Sequence, residues 1–143
     1  NHSIGNYFHQ TFLMASIFSK IIAGEIPCYR IAEDEKHLAF LDINPNAEGH
    51  TLCIPKTEVD QLFDLSKEDY AALMLFSRKV AQALKKTVPC QRIAMSVIGL
   101  EVPHAHVHLI PLNAMEDVTF GKKVQLDPMA MQGLAKRIAE NLA

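Results

Sequence analysis

The 143-residue sequence has few cysteines and no long apolar run. Its three cysteines, Cys28, Cys53 and Cys90, are widely spaced, and no two of them form a Cys-x-x-Cys pair. This number and spacing argue against a disulfide framework and against a cysteine-rich zinc module. No apolar run approaches the ~18–20 residues that cross a bilayer. We therefore expect a cytoplasmic protein with reduced thiols and no membrane partner.

The sequence also lacks a strong charge of either sign. Its 14 Lys and Arg residues against 16 Asp and Glu residues give a formal net charge of −2. A balance this close to neutral provides no broad electrostatic attraction for nucleic acid or for an anionic membrane surface. We therefore expect no nucleic-acid partner. The length suits one domain with a real hydrophobic core.

The first 13 residues contain no Lys or Arg, which makes them a poor match to a secretory signal. Met14 has the character of a natural initiator. We therefore interpret residues 1–13 as a possible tag remnant or disordered extension and residues 14–143 as a single domain.

Apolar periodicity and turn residues predict a mixture of helices and hairpin-linked strands. The predicted helices are Ile17–Ala23 with Ser16 as cap and Gly24 as terminator, a long one from Ser66 to about Thr87, and one from Asp127-Pro128 to about Asn141. The predicted strands are Tyr29–Ala32, His37–Asp42, Gly49–Ile54, Arg92–Val97 and Ala105–Leu112. This order indicates an α+β fold, an antiparallel β-sheet with one long helix and short flanking helices.

The most informative motif is the run from His104 to Leu112, in which His104, His106 and His108 alternate with apolar residues. On a β-strand the three histidines share one face, with same-face neighbours roughly 6.5–7 Å apart. Adjacent imidazoles near neutral pH suit an anion, a metal ion or nucleophilic chemistry. The motif holds no carboxylate or cysteine on that face, which weakens the metal interpretation.

The segments around this run extend the pattern. The run resembles the signature of the histidine triad (HIT) superfamily, His-φ-His-φ-His-φ-φ, where φ is apolar. Ser16–Asp34, Ala39–Asn46 and Gly49–Lys56 are similar to the earlier blocks of that family and stand in the same order. The resemblance implies a HIT-like homodimer that hydrolyses or transfers nucleotides. It implies cleavage at the α-phosphate of nucleoside 5′-monophosphate derivatives, either phosphoramidates or dinucleoside polyphosphates, with the family's habitual preference for purines.

The resemblance also assigns roles to residues. His106 is the expected nucleophile, which attacks the α-phosphorus and forms a covalent nucleotidyl-histidine. His104 and His108 contact phosphate oxygens or hold the tautomer of the nucleophile, and His50 supports them from a neighbouring strand. Asp42 accepts both ribose hydroxyls. The expected base-pocket residues are Ile43, Phe18 and Phe40. Neither a metal nor another cofactor is expected.

Two departures from the family pattern keep alternatives open. Gly99-Leu100-Glu101-Val102 stands where many relatives have Gly-Gln-Ser/Thr-Val. If the strand extends as far as Glu101, this residue lies on the face opposite His104 and points away from phosphate; if it points inward, its charge repels an anion. Ser16 and Ser19 stand where some bacterial relatives have zinc-binding cysteines. A nucleotide-binding protein with little catalysis and a metal-binding module that uses the histidine row therefore remain as alternatives. The sequence does not identify the acid that protonates the leaving group.

Overall fold

The structure is a computed structural model and describes residues 17–143. The helices are α1 (residues 17–22), α2 (Lys67–Thr87) and α3 (Pro128–Glu140), with short 3-10 turns at Leu62–Asp64 and Met115–Val118. The strands are β1 (Arg30–Glu33), β2 (His37–Leu41), β3 (Thr51–Pro55), β4 (Arg92–Ser96) and β5 (Val107–Leu112). They form one antiparallel sheet in the order β1-β2-β3-β5-β4. The predicted α+β class is confirmed. The predicted extension at residues 1–13 and the Ser16 cap lie outside the described residues.

The helices begin and end where side-chain and backbone partners satisfy their terminal groups. The hydroxyl of Ser66 accepts a hydrogen bond from the Asp69 N–H at the start of α2. The carboxylate of Asp127 accepts from the Ala130 N–H at the start of α3, where Pro128 needs no donor. Gly24, at φ +81°, ends the α1 region in the left-handed conformation that glycine adopts without strain.

The sheet buries different residues on its two faces. Ala39, Cys53, Val107 and Leu109 belong to the cluster that includes the apolar sides of α2 and α3. The opposite face carries Leu38, Phe40, Leu52 and Ile54, which pack with Phe18 and Ile21 of α1. Successive residues of a strand point to opposite faces. His108, between Val107 and Leu109, therefore projects on the α1 side of the sheet.

The expected strand over Ala105–Leu112 is wrong at its beginning, because β5 starts only at Val107. The N–H of Ala105 donates to the Val59 carbonyl at 2.6 Å, and the N–H of His104 donates to the Val102 carbonyl at 2.8 Å. The first bond joins the segment to the loop that contains Val59, and the second lies within the segment, so neither belongs to a strand ladder. Of the three alternating histidines, only His108 lies on a strand.

The condition for placing Glu101 on a strand face is not met. Because the strand does not reach it, Glu101 has no strand face, and its side chain is exposed. Burial is the main cause of the raised pKa of the Asp42 carboxyl group, and the charge of Glu101 adds a smaller contribution in the same direction.

The cysteines within the described residues, Cys28, Cys53 and Cys90, all have free thiols. None of the helices in residues 17–143 is long and apolar enough to cross a membrane. The cytoplasmic location stays a prediction.

Candidate active site

Four buried histidines lie close together near the beginning of β3 and the beginning of β5. His50 immediately precedes β3, and His108 pairs with Leu52 of β3 in the sheet register. The ring centroids of His50 and His108 are 5.2 Å apart, and those of His106 and His108 are 4.9 Å apart. His104 is fully buried beside this group. The structure therefore brings together all four histidines that the sequence singled out.

A chain of hydrogen bonds fixes the protonation of His50 and His108. The backbone N–H of Asn46 donates to Nδ1 of His50 at 3.0 Å, so that nitrogen must be unprotonated. The hydrogen of His50 is then on Nε2, which lies 2.9 Å from Nδ1 of His108 and donates to it. His108 must therefore carry its own hydrogen on Nε2, where it is available as a donor.

The orientation of His106 is set by a backbone carbonyl. Nδ1 of His106 lies 2.7 Å from the carbonyl oxygen of His104. A carbonyl oxygen can only accept, so Nδ1 carries a hydrogen, and in the neutral ring the free lone pair is then on Nε2. A neutral imidazole with a free, oriented lone pair is the form that attacks an electrophile.

The side chain of His104 has a different environment. Its Nε2 donates to the carbonyl oxygen of Pro55 at 2.7 Å, which ties the loop before β5 to the end of β3. Its Nδ1 is buried without a hydrogen-bond partner among the described residues. His104 therefore orients His106 through its backbone carbonyl.

Burial keeps three of these histidines neutral near pH 7. Desolvation is the largest cause and lowers the pKa of His50 to about 3, with smaller contributions from the neighbouring His108, Lys123 and His106. Desolvation likewise lowers the pKa of His108 to about 4, with contributions from His106 and Lys123. The pKa of His104 is also lowered, mainly by burial. The ring nitrogens therefore act as fixed neutral donors and acceptors.

Asp42 lies beside this group, just after β2. One carboxylate oxygen accepts the N–H of Asn44 at 2.8 Å, and the other is 3.6 Å from Nε2 of His50, beyond hydrogen-bonding distance. Burial raises the pKa of the Asp42 carboxyl group. Asp42 thus stabilises the turn after β2 and keeps one oxygen available.

The three expected base-pocket residues lie in different environments. The ring of Phe18 is edge-on to His104 at 5.6 Å and to His106 at 5.2 Å. Phe40 packs behind Phe18 in the core at 5.9 Å. Ile43, in contrast, is 81% exposed. Only Phe18 directly contacts the histidines.

Sequence reasoning missed Asn46, Phe120 and Lys123. The Phe120 ring is edge-on to His108 at 4.9 Å and to His50 at 5.9 Å. Lys123 donates to the side-chain oxygen of Asn46 at 2.8 Å. Phe120 and Lys123 stand in a non-periodic stretch after the histidine run, so no sequence pattern connects them with the site. For Asn46, the sequence signal is the turn-forming run Asn44-Pro45-Asn46 between two predicted strands.

The fold and site together define a class of small α+β domain, in which a run of alternating histidines meets a fourth histidine across an antiparallel sheet. The chain belongs to the histidine triad family, because the family model of the HIT domain matches residues 23–115. It is 41% identical over 98 residues to an adenosine 5′-monophosphoramidase of Saccharomyces cerevisiae, which covers 68% of this chain and 62% of the relative.

Solved structures of the family have the same fold. A Hit-like protein involved in cell-cycle regulation from Bartonella henselae superposes with a TM-score of 0.77 at 32% identity, covering 88% of this chain and 95% of that protein. A zinc-bound histidine triad family protein from Mycobacterium smegmatis gives a TM-score of 0.75 at 28% identity, covering 88% and 91% of the two chains.

The zinc-bound relative makes metal binding a question for this chain. Asp42, His50 and His108 each offer a ligand atom, and these atoms lie within 4.8 Å of one another. However, a neutral imidazole has only one lone pair, and that of His50 accepts the N–H of Asn46. Its Nε2 carries a hydrogen and cannot bind a cation as arranged. This donor set does not fit a metal ion.

Proposed function

We propose that the protein cleaves nucleoside 5′-monophosphate derivatives at the α-phosphate, with His106 as the nucleophile. The observation that carries this proposal is the 2.7 Å hydrogen bond between Nδ1 of His106 and the His104 carbonyl, which assigns the lone pair of the neutral ring to Nε2. A phosphoramidate is the favoured substrate, because a relative of 41% identity is an adenosine 5′-monophosphoramidase.

The reaction proceeds in two displacements at phosphorus. In the first, Nε2 of His106 forms a bond to the α-phosphorus while the bond to the leaving amine or phosphate breaks, and the leaving group takes up a proton. The imidazolium so formed keeps the hydrogen on Nδ1, bonded to the His104 carbonyl. In the second, water attacks phosphorus, the phosphorus–nitrogen bond breaks, and a proton is released with the nucleoside monophosphate. His106 returns to its neutral form.

His108 supplies the donor that this chemistry needs. Its Nε2 hydrogen, fixed by the bond from His50, can contact a non-bridging phosphate oxygen on which charge develops. A donor held in place before the reaction stabilises that charge without reorganisation. His50 acts through His108 and needs no contact with substrate.

Asp42 is the proposed ribose-binding residue. Its carboxylate retains one oxygen outside the turn that it makes with Asn44, and both oxygens have lone pairs suited to a cis-diol. Phe18 is the proposed apolar neighbour of the nucleotide, whereas Phe40 supports it from the core.

A second candidate is a nucleotide-binding protein with little turnover. The observation that favours it is the negative charge of Glu101, which adds a small contribution to the burial that raises the pKa of Asp42 and would repel substrate phosphates. Tight nucleotide binding without product formation distinguishes this candidate.

We further propose that the chain forms a homodimer through β4. This strand lies at an edge of the sheet, and Met95, Ile98 and Leu100 on or just after it are exposed. Exposed backbone at a sheet edge with apolar neighbours favours pairing with a second copy. Light scattering should give twice the monomer mass for the wild type and the monomer mass for Met95→Lys.

The function is tested by following release of adenosine monophosphate from adenosine 5′-phosphoramidate and, separately, from a diadenosine polyphosphate. The proposal expects turnover of at least one substrate by the wild type and loss of turnover in His106→Ala. Binding of nucleotide without turnover of either substrate would reject the proposal and support the binding protein.

A further inference from the structure

Residues 117–124, which we term the strap, cross the turn at residues 44–46. The ammonium group of Lys123 donates to the Asn44 carbonyl at 3.1 Å and to the Asn46 side-chain oxygen at 2.8 Å. The N–H of Val124 donates to the Pro45 carbonyl at 3.0 Å. The side-chain amide of Asn46 donates back to the Asp117 carbonyl at 2.9 Å. Asn46 is fully buried, so both polar atoms of its side chain depend on the strap.

The strap is also packed on the site itself. Phe120 has a φ of +63°, which is an outlier for a bulky residue and persists only where the surroundings impose it. Its ring lies edge-on to His50 and His108, and the Lys123 ammonium is 5.2 Å from the ring centroid. In this conformation of the strap, Phe120 reaches the histidines and Lys123 reaches Asn46.

The backbone of Asn46 selects between two arrangements of hydrogen on the histidine pair. In the observed one, the Asn46 N–H occupies Nδ1 of His50, His50 donates to His108, and His108 has its hydrogen on Nε2. In the reverse one, His108 would donate from Nδ1 to His50, and His50 would carry its hydrogen on Nδ1. In the reverse arrangement, the Asn46 N–H and the hydrogen on Nδ1 of His50 would point at each other. His108 would also lose the hydrogen on its Nε2.

We propose that Lys123 is a positioning residue. It acts through Asn46 and thereby determines the tautomers of His50 and His108, that is, which nitrogen of each ring carries the hydrogen. Lys123 holds the Asn46 side chain, and the Asn46 backbone N–H in turn sets the tautomer of His50. The use of that tautomer in catalysis rests on the proposed function, whereas the tautomer itself can be measured without substrate.

The test is nitrogen NMR of protein with labelled histidines, near neutral pH and without nucleotide. In the wild type, both His50 and His108 should show an unprotonated Nδ1 and a protonated Nε2. Lys123→Met should allow the reverse arrangement to form. The ratio of the observed arrangement to the reverse one should fall about tenfold, which is the change expected from weakening one buried hydrogen bond. Asn46→Ala removes the same connection from the other side and should give the same result.

Two variants serve as controls. Lys122 is the adjacent lysine of the strap and pairs with Glu116 and Asp117, so Lys122→Met should keep the wild-type tautomers. Lys123→Arg keeps a donor for the two oxygen acceptors and should restore the wild-type pattern. Unchanged tautomers in a folded Lys123→Met protein would overturn the proposal, as would equal changes in the Lys122→Met control.

Turnover of adenosine 5′-phosphoramidate is measured on the same samples. A wild type with the expected tautomers but no turnover would reject the proposed function and leave the role of Lys123 standing. A wild type that turns over, with tautomers that Lys123→Met does not alter, would reject only the role of Lys123.

Discussion

At the scale of single residues, hydrogen-bond partners decide what each histidine of the site can do. His106 faces a carbonyl oxygen and so keeps its lone pair on Nε2, whereas His50 faces an N–H and so must donate from Nε2. The four rings have the same chemistry in isolation. Their different backbone partners place a ring nitrogen with a lone pair beside a ring nitrogen that donates.

Asp42→Asn tests the proposed ribose contact. The change keeps the side-chain oxygen for the turn but removes the charge that strengthens a bond to a hydroxyl group. We expect the KM for adenosine 5′-phosphoramidate to rise about tenfold, equivalent to roughly 1.4 kcal/mol, with the KM for its 2′,3′-dideoxy analogue little changed. Steady-state kinetics of both substrates measure the difference, with Glu140→Gln at the exposed end of α3 as the control. An equal rise for both substrates would contradict a ribose contact.

At the scale of secondary-structure elements, the sequence predicted correctly the element ends that depend on contacts between residues close together in the chain. The beginnings of α2 and α3 follow from Ser66 and from Asp127-Pro128, whose capping bonds lie within three residues. The beginning of β5 was misplaced because the Ala105 N–H pairs with Val59, a distant residue in a loop.

The same distinction applies to the site. The identities of the four histidines and Asp42 are visible in motifs, but the nitrogen that carries each hydrogen depends on tertiary contacts. Phe120 reaches His108 through a left-handed backbone conformation that no sequence pattern of a phenylalanine predicts.

Gly49 lies between the turn after β2 and His50. Gly49→Ala tests how closely the backbone at this position packs against the end of α2. Gly49 has a φ of +94°, and an added methyl group would lie 2.9 Å from Val88 and 3.0 Å from Leu84. Gly24 has a φ of +81° with open space around it. We expect Gly24→Ala to lower the free energy of unfolding by about 1–2 kcal/mol from backbone strain alone. Gly49→Ala should cost about 1–3 kcal/mol more from overpacking.

Urea unfolding of the two glycine variants measures this difference. Equal losses of stability would show that Leu84 and Val88, at the end of α2, move aside for the added methyl group. The end of α2 would then not constrain the backbone before His50.

At the scale of the whole molecule, the two faces of the sheet differ: one packs against helices, and the other carries a histidine of the candidate site. Helices α2 and α3 cover one face with apolar side chains, while the other face carries His108 beside the α1 cluster. Burial lowers the pKa values of His50, His104 and His108. That burial makes the stability of the molecule depend on pH.

The free energy of unfolding should fall as the pH is lowered below about 6.5. Unfolded histidines titrate near 6.5, whereas the native pKa values of His50 and His108 are about 3 and about 4. Below pH 6.5 the unfolded chain therefore binds protons that the native protein does not. The stability from these groups is fully present above pH 6.5 and is lost as the pH falls toward 4 and 3. Each group contributes a slope of up to about 1.4 kcal/mol per pH unit.

Urea unfolding between about pH 7 and pH 5 measures this slope in a window where most carboxylates stay ionised. His108→Gln should remove the contribution of one histidine. A wild-type stability that is constant or rises toward pH 5 would contradict neutral burial of the pair.

The most direct measurement of the central claim is rapid quenching with adenosine 5′-phosphoramidate labelled at the α-phosphate, followed by mapping of the protein-bound label. We predict an acid-labile label on His106 that forms in the wild type and is absent from His106→Ala. His37→Gln serves as a matched control, because His37 is a buried histidine that stacks on Phe76 of α2, on the other face of the sheet. It should label like the wild type. A label on another residue, or undiminished labelling and turnover in His106→Ala, would contradict the account.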